Sequence, residues 1–174
     1  NFYTLGLNHG QDKVYDHWGK NVLRLSSGIQ AEQLRVQKLG TSSNVLVENK
    51  VTNDTILMET FAYTESYRDY QVEFENGVSY HASDPQSMFR KLEGTASDDE
   101  MYPIYSGSEF YGYEGNDTLH GTNDSDKLYG HEGADKIYGK DGDDYLDGGS
   151  GNDYLNGGAG NDVYTFGLNH GQDI

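Results

Sequence analysis

The sequence predicts an all-β chain in two parts: a strand-rich N-terminal domain with one short helix over residues 1–93, then a short-period β-solenoid over 94–165. Three observations carry this. Short β-branched or alternating runs, separated by Gly, Asn and Ser, fill the first ninety positions. Residues 94–165 divide into eight nonapeptides with no insertion or deletion. Composition also breaks between the parts, since Gly94 to Thr165 holds 16 Asp or Glu against 3 Lys, and 15 of the 23 Gly.

The N-terminal strands are read in order as DKVYD (12–16), NVLRLSS (21–27), QLRVQKL (33–39), SNVLVEN (43–49), DTILMETF (54–61) and DYQVEFENGVSYH (69–81). Asn76-Gly77 suits a two-residue hairpin turn within the last of these. In SDPQSMFRKL, Ser83 or Asp84 can cap a helix and Pro85 can take its first position, so a short helix is expected from Pro85 to Lys91.

The nonapeptides read GTASDDEMY, PIYSGSEFY, GYEGNDTLH, GTNDSDKLY, GHEGADKIY, GKDGDDYLD, GGSGNDYLN and GGAGNDVYT. Position six is Asp99, Ser108, Asp117, Asp126, Asp135, Asp144, Asp153 and Asp162. Position eight is Met101, Phe110, Leu119, Leu128, Ile137, Leu146, Leu155 and Tyr164. One apolar residue in nine fits a three-residue strand with a single inward side chain. Glycines at positions one and four permit a tight turn after each strand. Two nonapeptides then make one coil, with two sheets facing across the position-eight stack, and the turns of alternate nonapeptides lie side by side.

Such a core is thin, and the Asp side chains stack along each edge. Compensation is expected from a hard divalent cation, because calcium takes six to eight oxygens from carboxylates and from the carbonyls that Gly-rich turns expose. The formal charge of −17 points the same way, since it repels nucleic acid and anionic membrane surfaces. The chain has no Cys, which excludes disulfides and thiolate metal sites, and no apolar run approaches the length of a membrane-spanning helix.

The array resembles the RTX nonapeptide repeats of type I secreted bacterial proteins, whose GGxGxDxUx pattern is met best by GGSGNDYLN and GGAGNDVYT. The resemblance implies a right-handed parallel β-roll with calcium between successive coils. It implies that each ion takes the Asp and the position-two and position-four carbonyls of one turn. From the next turn on the same side it takes the Asp and the position-one and position-three carbonyls. Carried over, one site uses Tyr113, Gly115 and Asp117 with Gly130, Glu132 and Asp135. A second uses Thr122, Asp124 and Asp126 with Gly139, Asp141 and Asp144. A third uses His131, Gly133 and Asp135 with Gly148, Ser150 and Asp153, and a fourth Lys140, Gly142 and Asp144 with Gly157, Ala159 and Asp162. A fifth set, Thr95, Ser97 and Asp99 with Gly112, Glu114 and Asp117, lacks the position-four Gly, and Ser108 replaces the Asp of a sixth. Four calcium ions are the expected count, with five or six as the upper range.

Residues 3–90 resemble the hemolysin-type calcium-binding related domain that accompanies RTX arrays. The matching stretches are HGQDKVYD, NVLRLSSGIQAEQLRV, ILMETF and VEFENGVSY.

No enzyme constellation is found: the six His show no HExxH spacing, and neither GxSxG nor a P-loop occurs. Asp84-Pro85 is a dipeptide that some RTX proteins cleave in calcium, but the neighbouring sequence does not resemble the cleaving module, and the pair is a good helix start. Outward tyrosines, Tyr111, Tyr129 and Tyr145 on one sheet and Tyr102, Tyr138 and Tyr154 on the other, offer rings for a cell-surface glycan or simply suit strands.

The stretch from Tyr3 to Asp12 recurs from Tyr164 to Asp173 with only Leu5 against Phe166 changed. Residues 166–174 are therefore expected to open a following repeat unit, and neither end to be a natural terminus. Together these features predict a non-enzymatic calcium-binding module of a large type I secreted RTX protein, at the cell surface or released, with adjacent repeat units as partners. An adhesin spacer and a toxin or exported hydrolase are the two parent classes left open, with calcium-dependent glycan binding as an alternative role.

Overall fold

The computed structural model describes residues 2–5, 10–15, 21–25, 28–38, 45–59, 70–74, 79–81 and 90–174. The chain forms two compact units, 1–89 and 90–174.

The first unit contains β1 (Phe2–Leu5), β2 (Gln11–Tyr15), β3 (Asn21–Leu25), β4 (Leu34–Lys38), β5 (Val45–Asn49), β6 (Thr55–Glu59), β7 (Tyr70–Phe74) and β8 (Ser79–His81). Each expected run supplies a strand, and β1 is added at the start. The strands form two sheets, β1-β3-β7-β8 and β2-β6-β5-β4. Pairing is parallel along β1-β3-β7 and between β2 and β6, while β4-β5, β5-β6 and β7-β8 pair antiparallel. The chain therefore alternates between two parallel sheets and decorates them with hairpins. Alternation within the strands buries two residues in each of several: Leu23 and Leu25, Leu34 and Val36, Val72 and Phe74. The Asn76-Gly77 turn and the Asp84-Pro85 bond lie outside the described residues. So do positions 85–89 of the expected helix, while Lys91, its expected last residue, belongs to a strand.

The second unit contains β9 (Lys91–Glu93), β10 (Glu100–Met101), β11 (Glu109–Glu114), β12 (Thr118–His120), β13 (Lys127–Glu132), β14 (Lys136–Asp141), β15 (Tyr145–Ser150), β16 (Tyr154–Ala159) and β17 (Val163–Thr165). Odd-numbered strands form one parallel sheet, β17-β15-β13-β11-β9, and even-numbered strands the other, β10-β12-β14-β16. The register advances one coil for every two nonapeptides, as in Phe110↔Leu128↔Leu146 and Leu119↔Ile137↔Leu155.

Position eight builds the core: Phe110, Leu119, Leu128, Ile137 and Leu146 are wholly buried, with Met101 and Leu155 nearly so. Tyr164 departs from the expected stack at 41% exposed, and its hydroxyl accepts the N–H of Gly157 at 2.8 Å. Leu92, paired with Phe110, adds a rung before the first nonapeptide, so residues 91–93 lie in the roll's sheet. Five strands run six residues rather than three, because the chain passes through positions one to three without leaving the ladder.

Candidate metal centre

Position six always precedes a strand, so a coil of two nonapeptides stacks these residues in two rows. One row is Asp99, Asp117, Asp135 and Asp153; the other is Ser108, Asp126, Asp144 and Asp162, with Arg90 standing one coil before Ser108. From Asp117 onward each of these carboxylates joins two coils, its Oδ1 accepting the backbone N–H of the position-six residue one coil back. Asp99 N–H donates to Asp117 (2.8 Å), Asp117 to Asp135 (2.8 Å) and Asp135 to Asp153 (2.9 Å). In the other row Asp126 N–H donates to Asp144 (2.8 Å) and Asp144 to Asp162 (3.1 Å). One oxygen of each Asp is thereby used by the fold.

The other oxygen separates two kinds of turn. Oδ2 of Asp117, Asp135, Asp144 and Asp153 is buried and has no hydrogen-bond partner among the described residues. It lies against the position-one glycine, where a Cβ on Gly112, Gly130, Gly139 or Gly148 would collide with it. Burial raises these carboxyls from the usual 3.8, Asp135 to about 7 and Asp117 and Asp144 to about 6, and pushes Asp153 upward as well. Neighbouring Asp side chains push the same way; the backbone N–H bonds pull back. A buried acceptor lacking a donor costs free energy, and an ionised one more. Four such atoms in two short rows form a polyanionic lining that a cation would relieve.

Asp99, Asp126 and Asp173 instead close their Oδ2 with protein groups. Thr95 donates from N–H (2.6 Å) and Oγ1 (2.9 Å) to Asp99 Oδ2, and Thr122 does the same to Asp126 Oδ2 (2.5 and 2.8 Å). Asp173, whose Oδ1 accepts the N–H of Asp153 (3.0 Å), meets His170 Nδ1 at 3.1 Å through Oδ2. At the start of the second row Arg90 hydrogen-bonds the Ser106 carbonyl, and Ser108 donates to the Tyr105 carbonyl (2.6 Å).

The cause lies at position two. Tyr113, His131 and Lys140 there have φ of 78°, 78° and 85°, and Gly149 and Gly158 have 91° and 101°. Thr is β-branched and resists this left-handed region. In the Thr turns the residue stays at negative φ and swings its hydroxyl onto the Asp, and β12 stops at His120, before Gly121-Thr122. The Gly-Thr pairs 94–95 and 121–122 are the signal in the sequence that marks these turns.

Each expected ligand set lies on adjacent coils of one edge: Tyr113 pairs with His131 and Glu114 with Glu132, His131 with Gly149 and Glu132 with Ser150, Lys140 with Gly158 and Asp141 with Ala159. Among the described residues no three His, Asp or Glu side chains converge on one point, so a bound ion would need carbonyl oxygens beside the carboxylates.

The outward rings stack along the sheets. Tyr111 and Tyr129 are 5.0 Å apart, Tyr113 and His131 5.5 Å, and on the opposite sheet Tyr102, His120, Tyr138 and Tyr154 follow at 4.6, 5.4 and 5.7 Å. These are cross-strand pairs in which the faces cover one another, except that Tyr154 is tilted by 48° from Tyr138. Of the other His, His9 and His17 lie outside the described residues.

The family model of the RTX calcium-binding nonapeptide repeat (4 copies) matches residues 111–146 and again 138–171. The segment 111–171 thus carries RTX calcium-binding nonapeptide repeats, folded as a parallel β-solenoid. No curated protein matches the chain.

Proposed function

We propose that residues 90–174 are a calcium-dependent structural module whose coils close around ions held by the open aspartates. The observation that carries this is the set of four buried Oδ2 atoms, on Asp117, Asp135, Asp144 and Asp153, that no donor meets among the described residues. Three ions follow from pairing open carboxylates on adjacent coils, with Asp162, which is not among the four buried ones, completing the third set. One takes Tyr113, Gly115 and Asp117 with Gly130, Glu132 and Asp135. Another takes His131, Gly133 and Asp135 with Gly148, Ser150 and Asp153. The third takes Lys140, Gly142 and Asp144 with Gly157, Ala159 and Asp162. The set built on Thr122, Asp124 and Asp126 with Gly139, Asp141 and Asp144 competes with a hydroxyl already on Asp126, and the set on Asp99 competes with Thr95. These two bind more weakly or not at all.

Calcium supplies the charge that lets these carboxylates ionise while buried. The chain's own part is geometric: left-handed position two turns the carbonyls, position-one glycine makes room for Oδ2, and Oδ1 ties the coils. Ion binding and coil closure are then one event. In a calcium-poor cytosol the roll stays open for export, and in extracellular calcium it closes. This fits a stiff, non-enzymatic segment of a secreted or surface RTX protein, with the adhesin spacer favoured over the toxin or hydrolase by the duplicated segment.

Calcium counting by equilibrium dialysis, paired with circular dichroism, tests the reading. About three ions and a gain of β signal on calcium addition, with none on magnesium, is the expected result. A chain with full β signal in chelator and no bound calcium would overturn it.

A further inference from the structure

The segment that occurs twice, at 3–12 and at 164–173, is seen in two settings, and the two settings use opposite edges of it. In the C-terminal copy β17 pairs with the preceding strand β15, as Tyr145↔Val163, Leu146↔Tyr164 and Asp147↔Thr165. Further along, Ile174 donates to the Asp153 carbonyl (2.9 Å), accepts from Leu155 N–H (2.8 Å), and Gln172 N–H donates to Asn152 Oδ1 (2.8 Å). In the N-terminal copy the equivalent strand β1 pairs with the following strand β3, as Phe2↔Val22 to Leu5↔Leu25, and β2 pairs with the following strand β6.

The backbone groups in use do not compete. Gly10, the equivalent of Gly171, accepts Thr55 N–H (2.9 Å) and donates to Asp54 Oδ1 (2.8 Å). Ile174, the equivalent of Lys13, faces β16 instead. Successive residues of a strand present their N–H and C=O to alternate sides, so one segment can serve a coil before it and a coil after it together.

The first unit also carries the roll's own joint. Asp54 precedes β6 as Asp135 precedes β14, its Oδ1 takes the N–H of the residue one coil back, and Thr55 N–H returns to that residue's carbonyl, as Lys136 does to Asp117. Its Oδ2 is closed by Thr52 Oγ1 at 2.7 Å, in the manner of Asp99 and Asp126.

We propose that the open edge formed by β17 and residues 172–174 is the docking surface for a second copy of this unit, adjoining in the same chain. The two sheets of the roll then run without a break into the two parallel sheets of that copy's first unit. The order becomes β15-β17/β1-β3-β7 in one sheet and β14-β16-β2-β6 in the other. The seam carries no ion of its own, because His170 and Thr52 already occupy the carboxylate oxygens beside it.

The test is a tandem protein, residues 1–174 followed by 14–174, which keeps Asp162 and an identical segment at both places, in saturating calcium, with amide exchange read by mass spectrometry. The shared segment at the internal seam should exchange about tenfold or more slowly than the identical segment at the C-terminal end. Equal exchange at the two places would overturn the proposal. Asp54→Ala in the second half should lower seam protection and Asp54→Asn, which keeps an acceptor, should retain it; no effect of either would also overturn it. Calcium counted in the same samples keeps the two readings apart: bound ions with an unprotected seam reject the seam alone, and a protected seam with no bound ions rejects the calcium reading alone.

Discussion

The two units are built on one plan, two parallel sheets visited alternately, and differ in what fills them. In the first unit several strands bury two apolar side chains each, and hairpins widen both sheets. In the second, strands β9 to β16 each bury one apolar residue, and four buried carboxylate oxygens meet no donor among the described residues. The first unit closes on hydrophobic burial, which is present in any buffer. In the function proposed above, the second closes on ions, which the environment can withhold. On that reading a thin coil with an unmet charge requirement is a switch where a fuller one is a fixture.

The most direct way to break the comparison is chelation. Amide exchange in EGTA should become fast across 100–165 while strands β3 to β7 keep their protection. Equal loss in both units would mean that calcium supports the whole chain and not the thin part.

Asp135 belongs to two of the three proposed calcium sites, so Asp135→Ala should cost about 5 kcal/mol in calcium, two ions at about 2.7 kcal/mol each when present at 100 times their dissociation constant. Asp162→Ala, serving one site, should cost about half as much. Denaturant melts of the two variants give the ratio.

In the first unit Leu23→Ala removes a side chain only 2% exposed and should cost about 2–5 kcal/mol. The loss should be the same with and without calcium, which separates the two modes of closure.

Acid should partly replace the ion in the second unit. Without calcium, the folded carboxyls of Asp135, near 7, and of Asp117 and Asp144, near 6, hold protons more tightly than the unfolded 3.8. Their contribution is therefore favourable below pH about 4 and is lost as pH rises through 6 to 7. Calcium-free protein should show more roll structure at pH 4 than at pH 8 by circular dichroism, and the gap should shrink when calcium is added.

The smallest stability effect with the sharpest readout is Thr122→Gly. It removes the hydroxyl from Asp126 and frees position two for a left-handed φ, at a cost of about 1 kcal/mol in the calcium-free state. The calcium count should rise by one, and an unchanged count would mean that the threonine does not decide occupancy.

The roll was legible because its information is local and repeated. Glycines, aspartates and apolar residues in fixed register tell which side chains meet, and Phe110 to Leu155 stack as the spacing requires. Tyr164 misleads because a large polar ring can fill a strand position without entering the core. Leu92 was hidden because its nonapeptide, PQSMFRKLE, has lost every glycine and the aspartate. In the first unit the strands were readable from alternation, but their parallel pairing was not: β2 and β6 are far apart along the chain, and nothing in either names the other.

The sequence by itself determined the solenoid, its coil of two nonapeptides, the core residues of strands β10 to β16 and the carboxylates that line its edges, since each is a matter of period and residue type. Only the tertiary structure decided which carboxylates stay open. That depends on whether position two reaches left-handed backbone or turns a hydroxyl inward, and on whether His170, brought back beside Asp173, closes the last of the row. It also decided that the duplicated segment has two usable edges, because an edge exists only once strands are paired.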